Sequence, residues 1–245
     1  MTKTAKELEY KLRDYPNVKY NMVQHSVFHD FLSKASDEQL DFAEDFFDDE
    51  VEIIWSDSRA GTGKSFLSIA LAYAEYLNKG KTMYYIISPV SDDIGALPGS
   101  KFSKESVYFG ALYDALLELG VIPERAIYEM AEETLENFNE KSFDDCWIHA
   151  VSHIHLRGVN ISSTMILDET QNFKRNDIKK TLTRFKKGNK ALCIGSSVQI
   201  DLKNESKSGF VPYLEYFRGY EKSREHTLTR NFRSELSNYA DNFKW

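Results

Sequence analysis

The segment Val51-Glu52-Ile53-Ile54-Trp55-Ser56-Asp57-Ser58-Arg59-Ala60-Gly61-Thr62-Gly63-Lys64-Ser65 decides how this chain is read. Its apolar opening, Val51 to Trp55, predicts a buried strand. The following Phe66-Leu67-Ser68-Ile69-Ala70-Leu71-Ala72 predicts a helix spanning Lys64 to Leu77. Between the two, Gly61 and Gly63 let the backbone curl so that successive N–H groups point inward at phosphate oxygens, where a side chain would clash. Lys64 is then placed for β- and γ-phosphates and the Ser65 hydroxyl for Mg²⁺. The helix start adds its partial positive charge. The expected nucleotide-binding stretch is Ser58, Arg59, Ala60, Gly61, Thr62, Gly63, Lys64, Ser65 and Phe66. One position departs from the pattern G-x-x-x-x-G-K-[ST]: its opening glycine is Ser58, where a left-handed backbone would cost about 1 kcal/mol.

The chain has 245 residues, enough for one large domain or a core domain with a small appendage. Its 42% apolar and 13% aromatic content supports a packed core. No run approaches the ~18 apolar residues of a membrane span, and the first ten residues lack the apolar stretch of a signal peptide. Cys146 and Cys193 sit in apolar surroundings without metal or redox spacing, as expected of reduced thiols in a cytoplasmic protein. A net charge of −7 argues against tight, non-specific nucleic-acid binding.

Residues 1–50 read as a helical N-terminal extension, with Phe28, Phe31 and Leu32, then Phe42, Phe46 and Phe47, at helical spacing. Residues 51–245 read as the core domain. Within it, strands are predicted at Val51 to Trp55, Thr82 to Ile87, Ala126 to Met130, Trp147 to Val151, Thr164 to Leu167 and Ala191 to Ile194. Helices are predicted between them at Lys104 to Leu119 and Ile178 to Phe185, with a closing helix at Glu235 to Phe243. Such alternation predicts an α/β fold, a mostly parallel sheet with helices on both faces, as in P-loop NTPases with a RecA-like core. Ligands then sit at the carboxyl ends of the strands, where the chemically distinctive segments fall.

The second such segment is Thr164-Met165-Ile166-Leu167-Asp168-Glu169, an apolar strand ending in two carboxylates. In this Walker B pattern Asp168 holds Mg²⁺ through water and Glu169 orients and polarises the attacking water. The metal requirement is physical: phosphate charges facing two carboxylates need a divalent cation between them. Gln171 follows, and the strand Ala191 to Ile194 leads to Gln199, placed to hydrogen-bond the γ-phosphate or the water.

In order along the chain come Ala60 to Ser65, Leu97-Pro98-Gly99, Leu112-Tyr113-Asp114-Ala115-Leu116, Leu156-Arg157-Gly158, Ile166 to Asn172, Leu182-Thr183-Arg184 and Gln199-Ile200-Asp201-Leu202. This series resembles the PhoH family, P-loop ATPases related to superfamily 1 helicases, from about Asn21 to the C-terminus. The resemblance implies that Gln24 reads the adenine base. It also implies that Arg233, in Thr229-Arg230-Asn231-Phe232-Arg233-Ser234, acts on phosphate in trans or from a neighbouring lobe. A cationic arginine there would stabilise developing charge. The chain departs from the family at Ser58, Ser88, Val159, Ser196 and the shifted Asp92-Asp93, the profile of a divergent member such as a phage carries.

Weaker signals have simpler explanations beside them. His149, His153 and His155 cluster, with 153 and 155 alternating as on one strand face, but no cysteine or sequence-near carboxylate completes a metal set. Lys174 to Lys190 holds eight cations against Asp177 alone and is either a solvated face or a contact for an RNA or single-stranded DNA backbone. The acidic run Asp37 to Glu52 reads as a solvated face. The expected activity is Mg²⁺-dependent ATP hydrolysis, with Lys64, Glu169, Gln199 and Arg233 catalytic and Ser65 and Asp168 at the metal. Coupling to RNA or single-stranded DNA is implied by the resemblance, and strand movement by one lobe of this size implies a homo-oligomer such as a ring. The alternative is a nucleotide-binding switch or nucleic-acid-binding adaptor with little hydrolysis, favoured by Ser58 and Ser196. A small-molecule phosphotransferase fits less well, since an Asp-Glu pair with a sensor Gln suits water as acceptor.

Overall fold

A strand covered on both faces reads as a short, nearly continuous apolar run, and this chain has several of them. The computed structural model describes residues 3–89, 104–134, 145–236 and 239. Four helices come first: α1 (Lys3–Lys11), α2 (Pro16–Met22), α3 (His29–Lys34) and α4 (Asp37–Phe47). The strands are β1 (Ile53–Asp57), β2 (Met83–Ile87), β3 (Ile148–Ser152), β4 (Thr164–Leu167), β5 (Ala191–Gly195) and β6 (Ser223–His226). They form one sheet in the order β3-β2-β4-β5-β1-β6, and every neighbouring pair is parallel. This is the expected α/β fold. Connecting and flanking helices are α5 (Lys64–Lys79), α6 (Gly110–Glu118), α7 (Pro123–Ala126), α8 (Tyr128–Thr134), α9 (Arg175–Leu182) and α10 (Phe210–Phe217).

Successive side chains on a strand point to opposite faces, so each apolar strand feeds two layers. On one face Ile54, Tyr85, Ile166 and Leu192 join α1 to α6, including Phe42, Phe46, Leu67 and Leu71. On the other, Ile53, Trp55, Leu167 and Cys193 pack with Phe173, Ile178, Phe210 and Leu214. The N-terminal helices therefore share one continuous core with the sheet, and residue 50 marks a change of secondary structure within it. Lys190 ties this region together: it is 7% exposed, and its ammonium donates to the carbonyls of Asp48 and Val51.

One expected strand is absent and one strand was not expected. Ala126 to Met130 is the junction of α7 and α8, with only a single bridge from Ile127 to Ile148. The edge strand β6 was not expected, because Ser-Arg-Glu-His carries no apolar run. Leu97-Pro98-Gly99 and Asp92-Asp93 lie outside the described residues, as does most of the helix expected after Glu235. Among the described residues no helix is long and apolar enough to cross a membrane.

The topology determines what meets at the carboxyl edge. β5 lies between β1 and β4. The loop after β1 and the acidic end of β4 therefore flank the tip of β5, the kind of crevice where open α/β sheets bind ligands.

Candidate nucleotide site

The loop after β1 takes its shape from two glycines and a serine. Gly61 and Gly63 have φ of 80° and 79°, the left-handed region that an L side chain resists. Gly63 is the residue before α5, whose first residue, Lys64, is 5% exposed. Ser58 needs no such freedom, since Glu169 is the only non-glycine with positive φ among the described residues. Instead its buried hydroxyl accepts from Leu228 N at 2.8 Å and bonds the Ser56 hydroxyl at 2.9 Å, while its own N–H donates to Gly195 O. Serine at the opening position thus anchors the loop to the segment after β6. Thr62 closes the turn by donating to Arg59 O at 2.9 Å.

The acidic end of β4 is held just as firmly. Asp168 is 1% exposed; its Oδ2 accepts from the Tyr85 hydroxyl at 2.5 Å and its Oδ1 from Glu169 N at 2.8 Å. Glu169 is left-handed, with φ of 49°, at the cavity wall, the sort of strain that collects at functional sites. Burial and the neighbouring Asp168 charge push its carboxyl above the usual glutamate range, against the pull of Lys64 and a hydrogen bond from Gln171. Gln171, fully buried, donates from Nε2 to Glu169 Oε2 at 2.5 Å and to Gln199 O at 3.0 Å, and its Oε1 accepts from Ser196 N. It joins the acidic end of β4 to the loop after β5. Gly195 is required there, because a Cβ would stand 2.5 Å from Gln171 Oε1.

Arg233 lies over the glycine loop within the same chain. Phe232 N donates to Gly61 O at 2.8 Å and Asn231 Nδ2 to Ala60 O at 3.2 Å, which lays residues 231–233 across the loop. A Cβ on Gly61 would meet Arg233 Cγ at 2.5 Å. Three cavities adjoin this strap. One of about 240 Å³ is lined by Ala60, Gly61, Gly63, Lys64, Ser65, Phe66, Glu169 and Arg233, together with α6. A second, of about 630 Å³, has Phe31, Gln39, Gly63, Phe66, Phe232 and Arg233 in its wall. A third, of about 640 Å³, is polar and includes Glu169, Gln199, Asp201 and Arg233.

Lys64, Ser65, Glu169 and Arg233 thus line one cavity, and Gln199 lines a neighbouring one that shares Ala60, Glu169 and Arg233 with it; Asp168 is buried one residue before Glu169 and lines none of the three. Arg59 is exposed and lines none of these cavities. Gln24 is a correction. It donates to Asn78 Oδ1 at 2.7 Å. Asn78 lies fourteen residues along α5 from Lys64, about 21 Å at 1.5 Å per residue, so Gln24 cannot face a base beside the loop. Gln39 stands there instead. It is 4% exposed, with Nε2 3.5 Å from Thr62 O and 3.2 Å from where a Cβ on Gly63 would be. A capping box positions it: Gln39 Oε1 accepts from Ser36 N while Ser36 Oγ accepts from Gln39 N. That signature, Ser-x-x-Gln before an apolar run, was legible in the sequence.

The histidines do not form a metal set. β3 ends at Ser152, so His153 and His155 sit on a short 3₁₀ turn. Each histidine has its own carboxylate from afar: His149 with Glu129, His153 with Asp177 and His155 with Glu105. Among the described residues no three His, Cys, Asp or Glu side chains cluster as a metal site. The donors lining the Lys64 cavity include the Ser65 hydroxyl and the Asp114, Glu118 and Glu169 carboxylates, with the Asp168 carboxylate one residue before Glu169; oxygens of this kind suit a hard cation such as Mg²⁺ completed by phosphate oxygens and water. The basic segment is also divided. Lys174 and Arg175 open α9 beyond the carboxyl end of β4, whereas the backbones of Arg184 and Lys186 pair with Ile161 ahead of the start of β4.

A family model described as "PhoH-like protein" matches residues 32–239. Curated relatives include the "PhoH-like protein" of Mycobacterium leprae (strain TN), 31% identical over 161 residues, covering 64% of this chain and 42% of the relative. "Protein PhoH2" of Bacillus subtilis (strain 168) is 26% identical over 205 residues, covering 78% and 43%. The chain thus spans less than half the length of these relatives. Among solved structures, Pif1 helicase from Candida albicans aligns with 84% of this chain and 42% of that one, at 17% identity and a TM-score of 0.42. With the family match covering residues 32–239, most of the sequence, this chain belongs to the PhoH-like protein family.

Proposed function

We propose that the chain is an Mg²⁺-dependent ATPase that hydrolyses the β–γ bond by attack of water. The observation that carries this reading is one cavity walled by Lys64, Ser65, Glu169 and Arg233. Backbone N–H groups of the loop and the start of α5 would cradle the phosphates, with Lys64 on the β/γ-phosphates. Ser65 and Asp168 would hold Mg²⁺, which supplies charge neutralisation of the triphosphate. Glu169, oriented by the Gln171 amide, would position and deprotonate the water. Arg233 would compensate charge developing on the γ-phosphoryl group, and Gln199 would sense that group from the adjoining cavity.

The cavity of about 630 Å³ suits the nucleoside. Phe31, Phe66 and Phe232 offer apolar and stacking surface, and Gln39 keeps an amide hydrogen for a base acceptor after bonding Ser36 and Thr62. Coupling to RNA or single-stranded DNA rests on the exposed Lys174, Arg175, Lys179 and Lys180 at α9, a smaller surface than the whole basic run. Since Arg233 reaches the loop in cis, a homo-oligomer would be needed for strand movement and not to supply an arginine. Phosphate release from Mg-ATP, measured with and without single-stranded RNA, tests the reading. Release should vanish in Lys64→Ala and Glu169→Gln; release that persists in both variants contradicts it.

A further inference from the structure

β2 carries a tyrosine whose task the apolar reading of Thr82 to Ile87 overlooks. Tyr85 is 1% exposed, pairs in register with Ile166 of β4, and packs edge-on against Phe109. A phenol this deep needs a partner for its hydroxyl. That partner is the Asp168 carboxylate at 2.5 Å, in the range of strong, charge-assisted bonds. With Glu169 N–H on the other oxygen, Asp168 is gripped from both sides, and a carboxylate oxygen has two lone-pair directions, so a second partner on each is compatible with these bonds. We propose that Tyr85 is a positioning residue for the metal: by fixing the Asp168 carboxylate it sets how tightly the site takes Mg²⁺ with its nucleotide. This rests on the reading of Asp168 as the metal-side carboxylate. A purely structural bond, one that only satisfies a buried phenol, would affect stability and leave the metal dependence alone.

The experiment titrates Mg²⁺ into the protein with a fluorescent ADP analogue and reads the metal-dependent tightening of binding, with no turnover involved. In Tyr85→Phe the Mg²⁺ concentration giving half the effect should rise about 10- to 100-fold, the scale typical of lost second-layer ligand support, while metal-free nucleotide binding keeps its wild-type value. In an Asp168→Asn background the same change should add nothing, as a double-mutant cycle requires of two groups acting through one bond. A fluorine label on Tyr85, introduced as 3-fluorotyrosine, gives a second readout that needs no deletion: its resonance should move with Mg-ADP and stay put with ADP alone. An unchanged Mg²⁺ midpoint in Tyr85→Phe, or a fluorine signal blind to the metal, overturns the inference while the ATPase reading stands. Nucleotide binding indifferent to Mg²⁺ in the wild-type protein would overturn both.

Discussion

Restoring the glycine expected at the head of the phosphate loop should damage this protein. Ser58→Gly removes a hydroxyl that accepts from Leu228 N at 2.8 Å and pairs with Ser56 at 2.9 Å, all inside the fold. Leaving a buried N–H and hydroxyl unpaired costs about 1–3 kcal/mol. Glycine adds about 0.4–1 kcal/mol through the freedom it gives the unfolded chain, and no positive φ at position 58 repays it. The sum is about 1.4–4 kcal/mol, a Tm drop of roughly 3–8 °C for a chain of this size. Paired urea and thermal denaturation of wild type, Ser58→Gly and Ser58→Ala would measure it, with alanine expected to show most of the loss because it deletes only the hydroxyl. A glycine variant as stable as wild type would refute the account of how the loop is anchored to the segment after β6.

Other outcomes follow from the same geometry. Gln39→Ala should weaken nucleotide binding about tenfold, the value of one buried hydrogen bond, while Gln24→Ala leaves it unchanged; a titration with a fluorescent ATP analogue distinguishes them. Removing the phenyl ring in Phe232→Ala should weaken nucleotide binding and leave the phosphate analogue pyrophosphate unaffected, as read by competition. His153 titrates below its ordinary value of 6.5 because it is buried, with Asp177 opposing the shift and Lys180 and Lys174 adding to it. As pH falls through 6.5 toward the lower folded value, the unfolded chain takes up the proton first, so stability contributed by neutral His153 is lost on acidification and fully present above 6.5. Thermal denaturation from pH 7.5 to 5.5 should show a flatter decline in His153→Gln; identical slopes would count against it.

What the sequence made legible depends on how each element earns its stability. The strands buried on both faces announced themselves as apolar runs, and the glycine loop and Asp168-Glu169 fell at their carboxyl ends because a parallel sheet collects its loops there. β6 escaped because it is an edge strand: its polar Ser223 to His226 is held by ladder bonds to β1 and by His226 on Asp45. Ala126 to Met130 misled because Ile127 is an apolar residue buried between two short helices. Lys190 looked like one more cation in a basic run and is a buried clamp on two carbonyls. Gln24 was chosen on a family-like neighbourhood, whereas the capping box at Ser36 and Gln39 was the local signal that placed an amide beside the loop.

Every residue role proposed above depends on a triphosphate held between the glycine loop and Glu169. Equilibrium titration of wild type and Lys64→Ala with a non-hydrolysable ATP analogue in Mg²⁺ tests it most directly. Saturable 1:1 binding, displaced by ATP and abolished in Lys64→Ala, is the expected result. Equal affinity in the two proteins, or no binding to wild type, would contradict it.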